Sequence, residues 1–457
     1  MSGMQQMPLE NKELPKRVGG GTPEKLRSVE PQMASMENPD PTQTHLLMER
    51  CVESENANLA WKRAAGNKGS PGIDGMVIEE AKVYLRANWV GIREELLKGN
   101  YRPQPVKRVE IPKTGGGVRQ LGIPTVVDRF IQQLVLQVLQ PLWDPTFHPN
   151  SYGFRPGRSA HQAIRQAQKF VQEGRRWCVD VDLEKFFDTV NHDVLMCKVA
   201  ERIEDKRMLR LIRRFLKAGI MSGGVCQQRE EGTPQGGPLS PLLANLLLDE
   251  VDWELAKRGL TFCRYADDQN VYVQSKKAAE RSMRTMEKLI GKLKLRINVS
   301  KSAVARAWER KFLGFRQWSG PKREVKLRVS PQAMEKFKSR VKMLTKRNCG
   351  RSMENIAKNL RVYMLGWNNY FKLADTPGVF ANLDAWIRRR LRMVYLKQWK
   401  NGKTCYRNLM AKGLNSDAAK SIAANHRRYW AMSGTSGMNV AFPNNHFASL
   451  GIPRIGV

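Results

Sequence analysis

The alternation of apolar and polar positions predicts a β-hairpin in the middle of the chain. Thr261–Arg264 and Val271–Val273 are rich in residues that favour strands, and they flank Tyr265-Ala-Asp-Asp. Asp tolerates tight turns because its carboxylate bonds the local backbone. We therefore predict two short strands joined by a turn that carries Asp267 and Asp268. A solvated turn is the alternative interpretation of an Asp pair taken by itself.

A second alternation, of apolar and acidic residues, predicts a half-buried strand upstream of that hairpin. With a period of two, Val179, Val181 and Leu183 fall on one face, whereas Asp180 and Asp182 share the other. Two carboxylates on one face of such a strand are unusual without a cation. Asp180 is the weaker candidate, with a structural role as its alternative.

Three carboxylates would meet if this strand lay beside the hairpin. Asp182, Asp267 and Asp268 would then hold two metal ions roughly 3.5–4 Å apart, the arrangement that activates an attacking hydroxyl and steadies a leaving pyrophosphate. Carboxylate oxygens suit Mg²⁺, which also binds substrate phosphates, and Mn²⁺ is a possible substitute. Phosphoryl transfer depends mainly on such positioning and charge stabilisation. The pattern therefore predicts a phosphoryl-transfer site.

A glycine- and proline-rich loop followed by a helix is predicted at 231–247. Gly236 and Gly237 let the backbone approach a ligand closely, and Pro238 or Pro241 can open a helix. The helix has an apolar stripe at helical spacing. Its members are Leu242, Leu243, Leu246 and Leu247.

Helical periodicity continues in the last third of the chain. Ser330 followed by proline is a helix start signal, and three amphipathic runs follow it. They are 334–344, 353–373 and 379–399. The second run contains Trp367, Tyr370 and Phe371, which are candidates for stacking on bases or, alternatively, for the core.

Net charge indicates a polyanionic partner. Lys and Arg number 78 against 43 acidic residues, a balance of +35, and 41% apolar content supports a sizeable core. Residues 301–457 hold 32 basic and 7 acidic side chains, which is +25 of that total. We expect this third to be the main nucleic-acid surface, with Arg388, Arg389 and Arg390 as RNA-binding candidates. Without the motifs, a general basic face would be the alternative.

The chain resembles bacterial group II intron reverse transcriptases, also called maturases, from about Ala57 to about Trp430. The matching blocks, in the family's order, are 109–124, 182–188, 231–245, 265–268, 294–302, 312–315 and 366–371. Glycine-rich 67–75 matches an extension that closes over the template in these polymerases. The resemblance implies an α+β right-hand polymerase, in which fingers and palm with an antiparallel sheet precede an α-helical thumb and maturase domain.

The resemblance also implies a role for single residues. Asp182, Asp267 and Asp268 would be the catalytic metal ligands. The nucleotide-binding residues would be Lys113, Arg119, Phe187, Gln235 and Lys301. Phe187 would lie under the incoming sugar, where its ring excludes a 2′-hydroxyl. Composition alone leaves Lys113 and Arg119 as solvated hairpin charges, Gln235 as a turn residue and Phe187 as core.

Five regions are expected. They are a leader at 1–44, an N-terminal extension at 45–100, fingers and palm at 101–320, the thumb and maturase domain at 321–402, and a basic DNA-binding tail at 403–457. The tail is too short for the zinc-bearing endonuclease of many relatives, and paired Cys are missing from it, so the class C type that lacks this domain is expected. The implied partners are group II intron RNA, an RNA template with a DNA or RNA primer, target DNA and deoxynucleoside triphosphates.

The remaining sequence features concern the compartment. No run of about 18 apolar residues and no signal peptide is present, so we expect no membrane association and a bacterial cytoplasmic location. Seven Cys without a Cys-x-x-Cys motif argue against disulfides and a zinc knuckle.

Two alternative functions remain. One is a splicing-only maturase, against which the intact carboxylate triad argues, and the other is a free-standing reverse transcriptase in host defence or repair. A catalytic intron RNA around the reading frame would favour the intron-encoded enzyme.

Overall fold

The computed structural model describes residues 44–112, 118–222, 225–227, 231–233, 236–320, 323–348 and 350–455. The chain divides into two units. The first takes the described residues up to Ala163 together with Val179–Val304, and the second takes Ile164–Cys178 together with the described residues from Ala305 onward. The five region boundaries expected from the sequence stay predictions.

The elements combine helices and strands, as expected for the α+β class. In the first 306 residues they are α1 (Leu47–Cys51), α2 (Ser54–Gly66), α3 (Ile78–Leu97), β1 (Val106–Pro112), β2 (Val118–Ile123), α4 (Val126–Trp143), α5 (Ala160–Gln172), β3 (Trp177–Val181), α6 (Phe186–Thr189), α7 (His192–Ala200), α8 (Lys206–Lys217), β4 (Ile220–Ser222), β5 (Val225–Gln227), α9 (Ser240–Lys257), β6 (Thr261–Tyr265), β7 (Asp268–Val273), α10 (Lys276–Lys292) and β8 (Ala303–Arg306).

The later elements are mainly helical. They are β9 (Phe315–Ser319), β10 (Val325–Val329), α11 (Pro331–Leu344), α12 (Met353–Phe371), α13 (Pro377–Gln398), α14 (Gly402–Ala411), α15 (Ser416–Ala424), α16 (Tyr429–Met432), α17 (Ser436–Ala441) and α18 (Asn444–Ser449). The three predicted amphipathic helices are therefore confirmed as α11, α12 and α13. The predicted basic tail folds into short helices, α14 to α18.

Three sheets organise the strands. Their orders are β2-β1-β4-β5, β6-β7-β3-β8 and β10-β9. The pairs β1–β2 and β6–β7 are antiparallel, whereas β4 runs parallel to β1. The first sheet is thus mixed, while the predicted hairpin and the predicted upstream strand are both present as β6–β7 and β3.

Helix α4 shows how the first unit buries a polar group within an apolar helix. The Thr125 hydroxyl caps the helix: it accepts a hydrogen bond from the Asp128 N–H at 3.0 Å and donates to the Asp128 carboxylate at 2.8 Å. The Tyr101 hydroxyl donates to the same carboxylate at 2.9 Å. Burial nevertheless raises the pKa of Asp128 to about 6.

Helix α9 confirms the predicted apolar stripe. It begins at Ser240 with proline in its first turn, where the missing N–H has no cost. Leu242, Leu243, Leu246 and Leu247 are all buried. The same helix also carries Asn245, Asp249 and Asp252 into the core, and these residues matter for the site below.

An aromatic core holds α11 and α12 of the second unit. Trp367 lies 4.4 Å from Phe337 and 4.7 Å from Phe371 between ring centroids, and both Trp367 and Phe371 are buried. The Tyr370 hydroxyl donates to the Leu313 carbonyl at 2.9 Å. For Trp367 and Phe371 the structure therefore favours the core over base stacking.

None of the helices in the described part of the chain is both long and apolar enough to cross a bilayer.

Candidate active site

The turn between β6 and β7 places two carboxylates side by side. Tyr265 lies opposite Asp268 in the antiparallel pair, so Ala266 and Asp267 form a two-residue turn. Ala266 has a φ of +59°, a left-handed conformation that costs an L-residue about 1–2 kcal/mol. Such strain persists only where the surroundings hold the backbone in place.

Three groups hold this turn. A Cβ at Gly153 would lie 2.2 Å from the Ala266 nitrogen, so this close approach needs glycine. The Asn245 amide donates to the Gly153 carbonyl at 2.8 Å and accepts from Arg264 at 2.8 Å. Arg264 also donates to the Ala266 carbonyl at 3.1 Å. The turn is therefore held in place by Asn245 of α9 and by the backbone around Gly153.

Arg264 forms a buried ion pair with Asp252. Both side chains are 0% exposed, and Nη2 lies 2.6 Å from the carboxylate. Nε donates to both carboxylate oxygens, at 3.0 and 2.8 Å, and Gln269 donates to one of them at 3.3 Å. Burial raises the pKa of Asp252, and the guanidinium opposes that shift. The sequence patterns did not point to this pair.

Asp182 stands immediately after β3, the strand next to β7 in the sheet. Its N–H donates to the Ser302 hydroxyl at 3.0 Å, and its carbonyl accepts from the Asn298 N–H at 2.8 Å. The segment 298–302 therefore fixes the backbone of Asp182. The carboxylate itself is 43% exposed.

Lys301, one of the predicted nucleotide-binding residues, lies at this carboxylate. Its ammonium nitrogen is 3.4 Å from Asp182 Oδ1, and its side chain is 63% exposed. A cation beside an exposed carboxylate lowers the repulsion among neighbouring acidic groups. The structure thus brings Lys301 and Asp182 together, although binding of a nucleotide by Lys301 stays a prediction.

The three candidate metal ligands share hard carboxylate oxygens that solvent can reach. Asp267 is exposed, and Asp182 and Asp268 are half-buried. Oxygen donors of this type suit Mg²⁺, so the residues fit the expected ions in chemical type. Within the described ranges, no three His, Cys, Asp or Glu side chains lie close enough together to form a ready metal site. The metal assignment therefore stays a proposal.

Phe187 lines a cavity of about 570 Å³ together with Gly236, Gly237 and Pro238. The ring is half-buried rather than core. The Thr233 N–H donates to the Phe187 carbonyl at 2.7 Å, which links the glycine-rich loop to the backbone of Phe187. A cavity of this size is adequate for a nucleotide.

Ala64, Asn67 and Gly69 line the same cavity. A guanidinium nitrogen of Arg129 donates to the Ser70 carbonyl at 2.8 Å. A Cβ at Gly69 would lie 2.1 Å from the same guanidinium, so the glycine is needed there. Burial lowers the pKa of Arg129. Arg129 and Phe154 both line the cavity, and sequence reasoning missed them because neither belongs to a recognisable pattern.

The structure gives little information on three of the predicted nucleotide-binding residues. Lys113 and Gln235 lie outside the described residues, and Arg119 lies on β2 opposite Ile111. Their roles stay predictions.

The three predicted RNA-binding arginines of α13 have different surroundings. Arg388 is only 5% exposed and pairs with Asp384 at 3.2 Å. Arg389 stacks on the Trp430 ring, 4.2 Å from its centroid. Arg390 donates to the Thr345 hydroxyl at 2.7 Å. They do not form one open basic face, and their contact with RNA stays a prediction.

Two protein families match this chain. Residues 111–317 match the family described as reverse transcriptase (RNA-dependent DNA polymerase). Residues 334–413 match the family described as group II intron, maturase-specific domain.

Individual relatives agree with these matches. Protein YkfC of Escherichia coli strain K12 is 34% identical over 61% of this chain and 84% of its own length. Group II intron-encoded protein LtrA of Lactococcus lactis subsp. cremoris is 34% identical over 52% of this chain. The aligned part of LtrA is 40% of its length. An uncharacterized 91 kDa protein in a cob intron of Schizosaccharomyces pombe is 36% identical over 35% of this chain and 20% of its own length.

Proposed function

The chain belongs to the reverse transcriptases that carry a group II intron maturase domain, and from this premise we propose that Asp182, Asp267 and Asp268 carry its polymerase chemistry. The observation behind the proposal is the strained turn at Ala266. It holds Asp267, and Asp268 begins β7, the neighbour of strand β3, which Asp182 directly follows. Strain of this kind concentrates at functional sites.

These three carboxylates would hold two Mg²⁺ ions, with Mn²⁺ as a possible substitute. Such ions, when bound, favour ionisation of the primer 3′-hydroxyl and offset charge on the leaving pyrophosphate. The chain's own contribution is position: Ser302 and Asn298 fix the backbone of Asp182. Lys301 would exchange its contact with Asp182 for a triphosphate oxygen when a deoxynucleotide arrives.

Phe187 would select deoxynucleotides from its position on the cavity wall. Shortening it to Ala should lower the preference for deoxy over ribonucleotides by at least about tenfold, because the steric obstacle to a 2′-hydroxyl is removed. The matched control is Phe154→Ala, which shortens another ring that lines the same cavity. If Phe187→Ala rejects ribonucleotides as strongly as the wild type, the ring has no selective role.

The maturase region would bind group II intron RNA, assist splicing and support copying of the intron at a DNA target. The strong positive charge of residues 301–457 supports this, since backbone contacts dominate nucleic-acid affinity. Binding of the parent intron RNA should exceed binding of an unrelated RNA of equal length. Equal affinity for both RNAs at every salt concentration would contradict an intron-specific role.

The direct experiment is extension of a DNA primer on an RNA template by the purified full chain. With four deoxynucleotides and Mg²⁺ we expect full-length complementary DNA, which EDTA abolishes and added Mg²⁺ or Mn²⁺ restores. The control lacks the primer. Failure to extend the primer with either metal would refute the proposed activity.

A further inference from the structure

A second cavity, of about 480 Å³, is lined only by residues of the second unit and is separate from the proposed polymerase site. Helix α13 contributes Arg388, Arg389 and Arg392 to its lining. The segment from 434 to 444 contributes Asn439 and Asn444. Three guanidinium groups and two amides form a lining rich in hydrogen-bond donors.

The arginines of this cavity carry more positive charge than their surroundings neutralise. Arg388 and Arg392 are 5% and 7% exposed and lie one turn apart on α13. Like charges at this spacing repel each other, and the charge of Arg388 adds to burial in lowering the pKa of Arg392. Among the described residues, Asp384 is the carboxylate that forms a salt bridge with any of the three.

Two donor atoms of the lining arginines also lack partners. The Nε atoms of Arg388 and Arg389 are buried, and neither has a hydrogen-bond partner in the described part of the chain. A buried donor without a partner costs about 1–3 kcal/mol. A bound anion with several acceptor oxygens would neutralise the excess charge of these arginines.

Other contacts hold the guanidinium groups in place. Arg392 donates to the Phe442 carbonyl at 3.2 and 2.9 Å. Arg389 donates to the Trp430 carbonyl at 3.0 Å, and a Cβ at Gly434 would come within 2.8 Å of its guanidinium. The cavity is therefore built before any ligand arrives, which reduces the entropy lost on binding.

We propose that this arginine cavity, lined by Arg388, Arg389 and Arg392, binds one backbone phosphate of a nucleic-acid strand. Guanidinium forks match phosphate oxygens in geometry. The choice of a nucleic acid as the source of that phosphate rests on the proposed function and on the +25 charge of residues 301–457. Arg390 does not line this cavity, and its guanidinium donates to Thr345 instead.

The test uses the full chain, inorganic phosphate and a labelled 20-nucleotide single-stranded RNA. Arg389→Gln removes one fork from the cavity. Ala385→Leu keeps every charge but fills the space, since Ala385 is an exposed helical residue on the cavity wall. Arg284→Gln removes one exposed charge of α10 in the first unit, away from the cavity and from the predicted nucleic-acid surface, and it is the matched control.

We expect phosphate, compared with chloride at equal ionic strength, to raise the melting temperature of the wild type and of Arg284→Gln. The increase should disappear in Arg389→Gln and Ala385→Leu. The same two variants should bind the RNA roughly tenfold more weakly, as expected for one charge-assisted contact. The salt dependence of binding should lose about one unit of slope.

Three results would overturn the proposal in distinguishable ways. An unchanged phosphate effect in both cavity variants would show that phosphate binds elsewhere or not at all. Loss of the phosphate effect with normal RNA affinity would assign the cavity to free phosphate or a nucleotide instead of a strand. Absence of RNA binding by the wild type, with the phosphate effect present, would refute the proposed function while leaving the anion site.

Discussion

The two units bury charge in opposite ways. The first unit buries the carboxylates of Asp128, Asp249 and Asp252, together with arginines that include Arg264. The second unit buries Arg388 and Arg392 with much less acidic compensation. The buried carboxylates of the first unit thus have hydrogen-bond partners within that unit, whereas buried guanidinium nitrogens of the second unit lack partners among the described residues.

This difference separates structural charge from charge that is available to a ligand. Arg264 uses all its nitrogens on Asp252, Asn245 and Ala266, so it stabilises the catalytic turn. Arg388 keeps a buried nitrogen without a partner within the described residues. Arg264 and Arg388 are therefore both buried but differ in role, and the number of nitrogens that have hydrogen-bond partners distinguishes the two arginines.

The largest expected effect on stability comes from changing Asp252. Changing Asp252 to Ala should lower the free energy of unfolding by about 3–5 kcal/mol, because Arg264 would remain buried without its partner. Urea denaturation measures the change. The double variant Arg264→Met with Asp252→Leu should lose less stability than the single variant, since no charge stays buried. Equal losses in both would contradict a pair held together by mutual compensation.

Changing Asp128 should have a smaller effect on stability, and the size of that effect should depend on pH. Its folded pKa of about 6 exceeds the ordinary Asp value of 3.8, so the folded state binds more protons than the unfolded state between these pH values. Its contribution to stability therefore falls as pH rises through that window, by at most about 3 kcal/mol. The stability difference between wild type and Asp128→Asn should change with pH between 4 and 6.5. If the stabilities of the two proteins change in parallel with pH, burial does not shift the pKa of the Asp128 carboxyl.

Arg388 should give the smallest effect. Arg388→Met leaves Asp384 without its salt bridge, but it also removes the repulsion with Arg392, and Asp384 keeps the hydrogen bond from the Ile455 N–H. We therefore expect a loss of about 1–2 kcal/mol. Urea denaturation in phosphate-free buffer is the measurement. A loss of stability as large as that of Asp252→Ala would contradict the contrast between the two units, because Arg388 would then stabilise the fold as much as Arg264 does.

Local periodicity explains which parts of the fold could be predicted from the sequence. The β6–β7 hairpin, strand β3, the leucine stripe of α9 and helices α11 to α13 all repeat a pattern within a few residues. The parallel pairing of β4 with β1 could not be predicted, because it joins segments more than 100 residues apart.

The site was partly predictable for the same reason. Motif residues Asp182, Asp267 and Asp268 stand out in sequence, and the structure adds Lys301 beside Asp182. Arg264 looked like an ordinary strand residue, and its role depends on Asp252 of another element. Arg392 was missed because sequence alone does not show which arginines of α13 are buried.

The most direct test of the central claim replaces Asp182, Asp267 and Asp268 singly by Asn and measures primer extension on an RNA template. Asn keeps the shape and removes the charge that would hold Mg²⁺. We predict a loss of roughly a thousandfold in rate for each variant, about 4 kcal/mol of lost transition-state stabilisation. Melting temperature and RNA affinity should stay near wild type. Asp193→Asn, an exposed carboxylate paired with Arg213, is the control and should retain activity. Wild-type extension rates in the three variants would contradict the assignment.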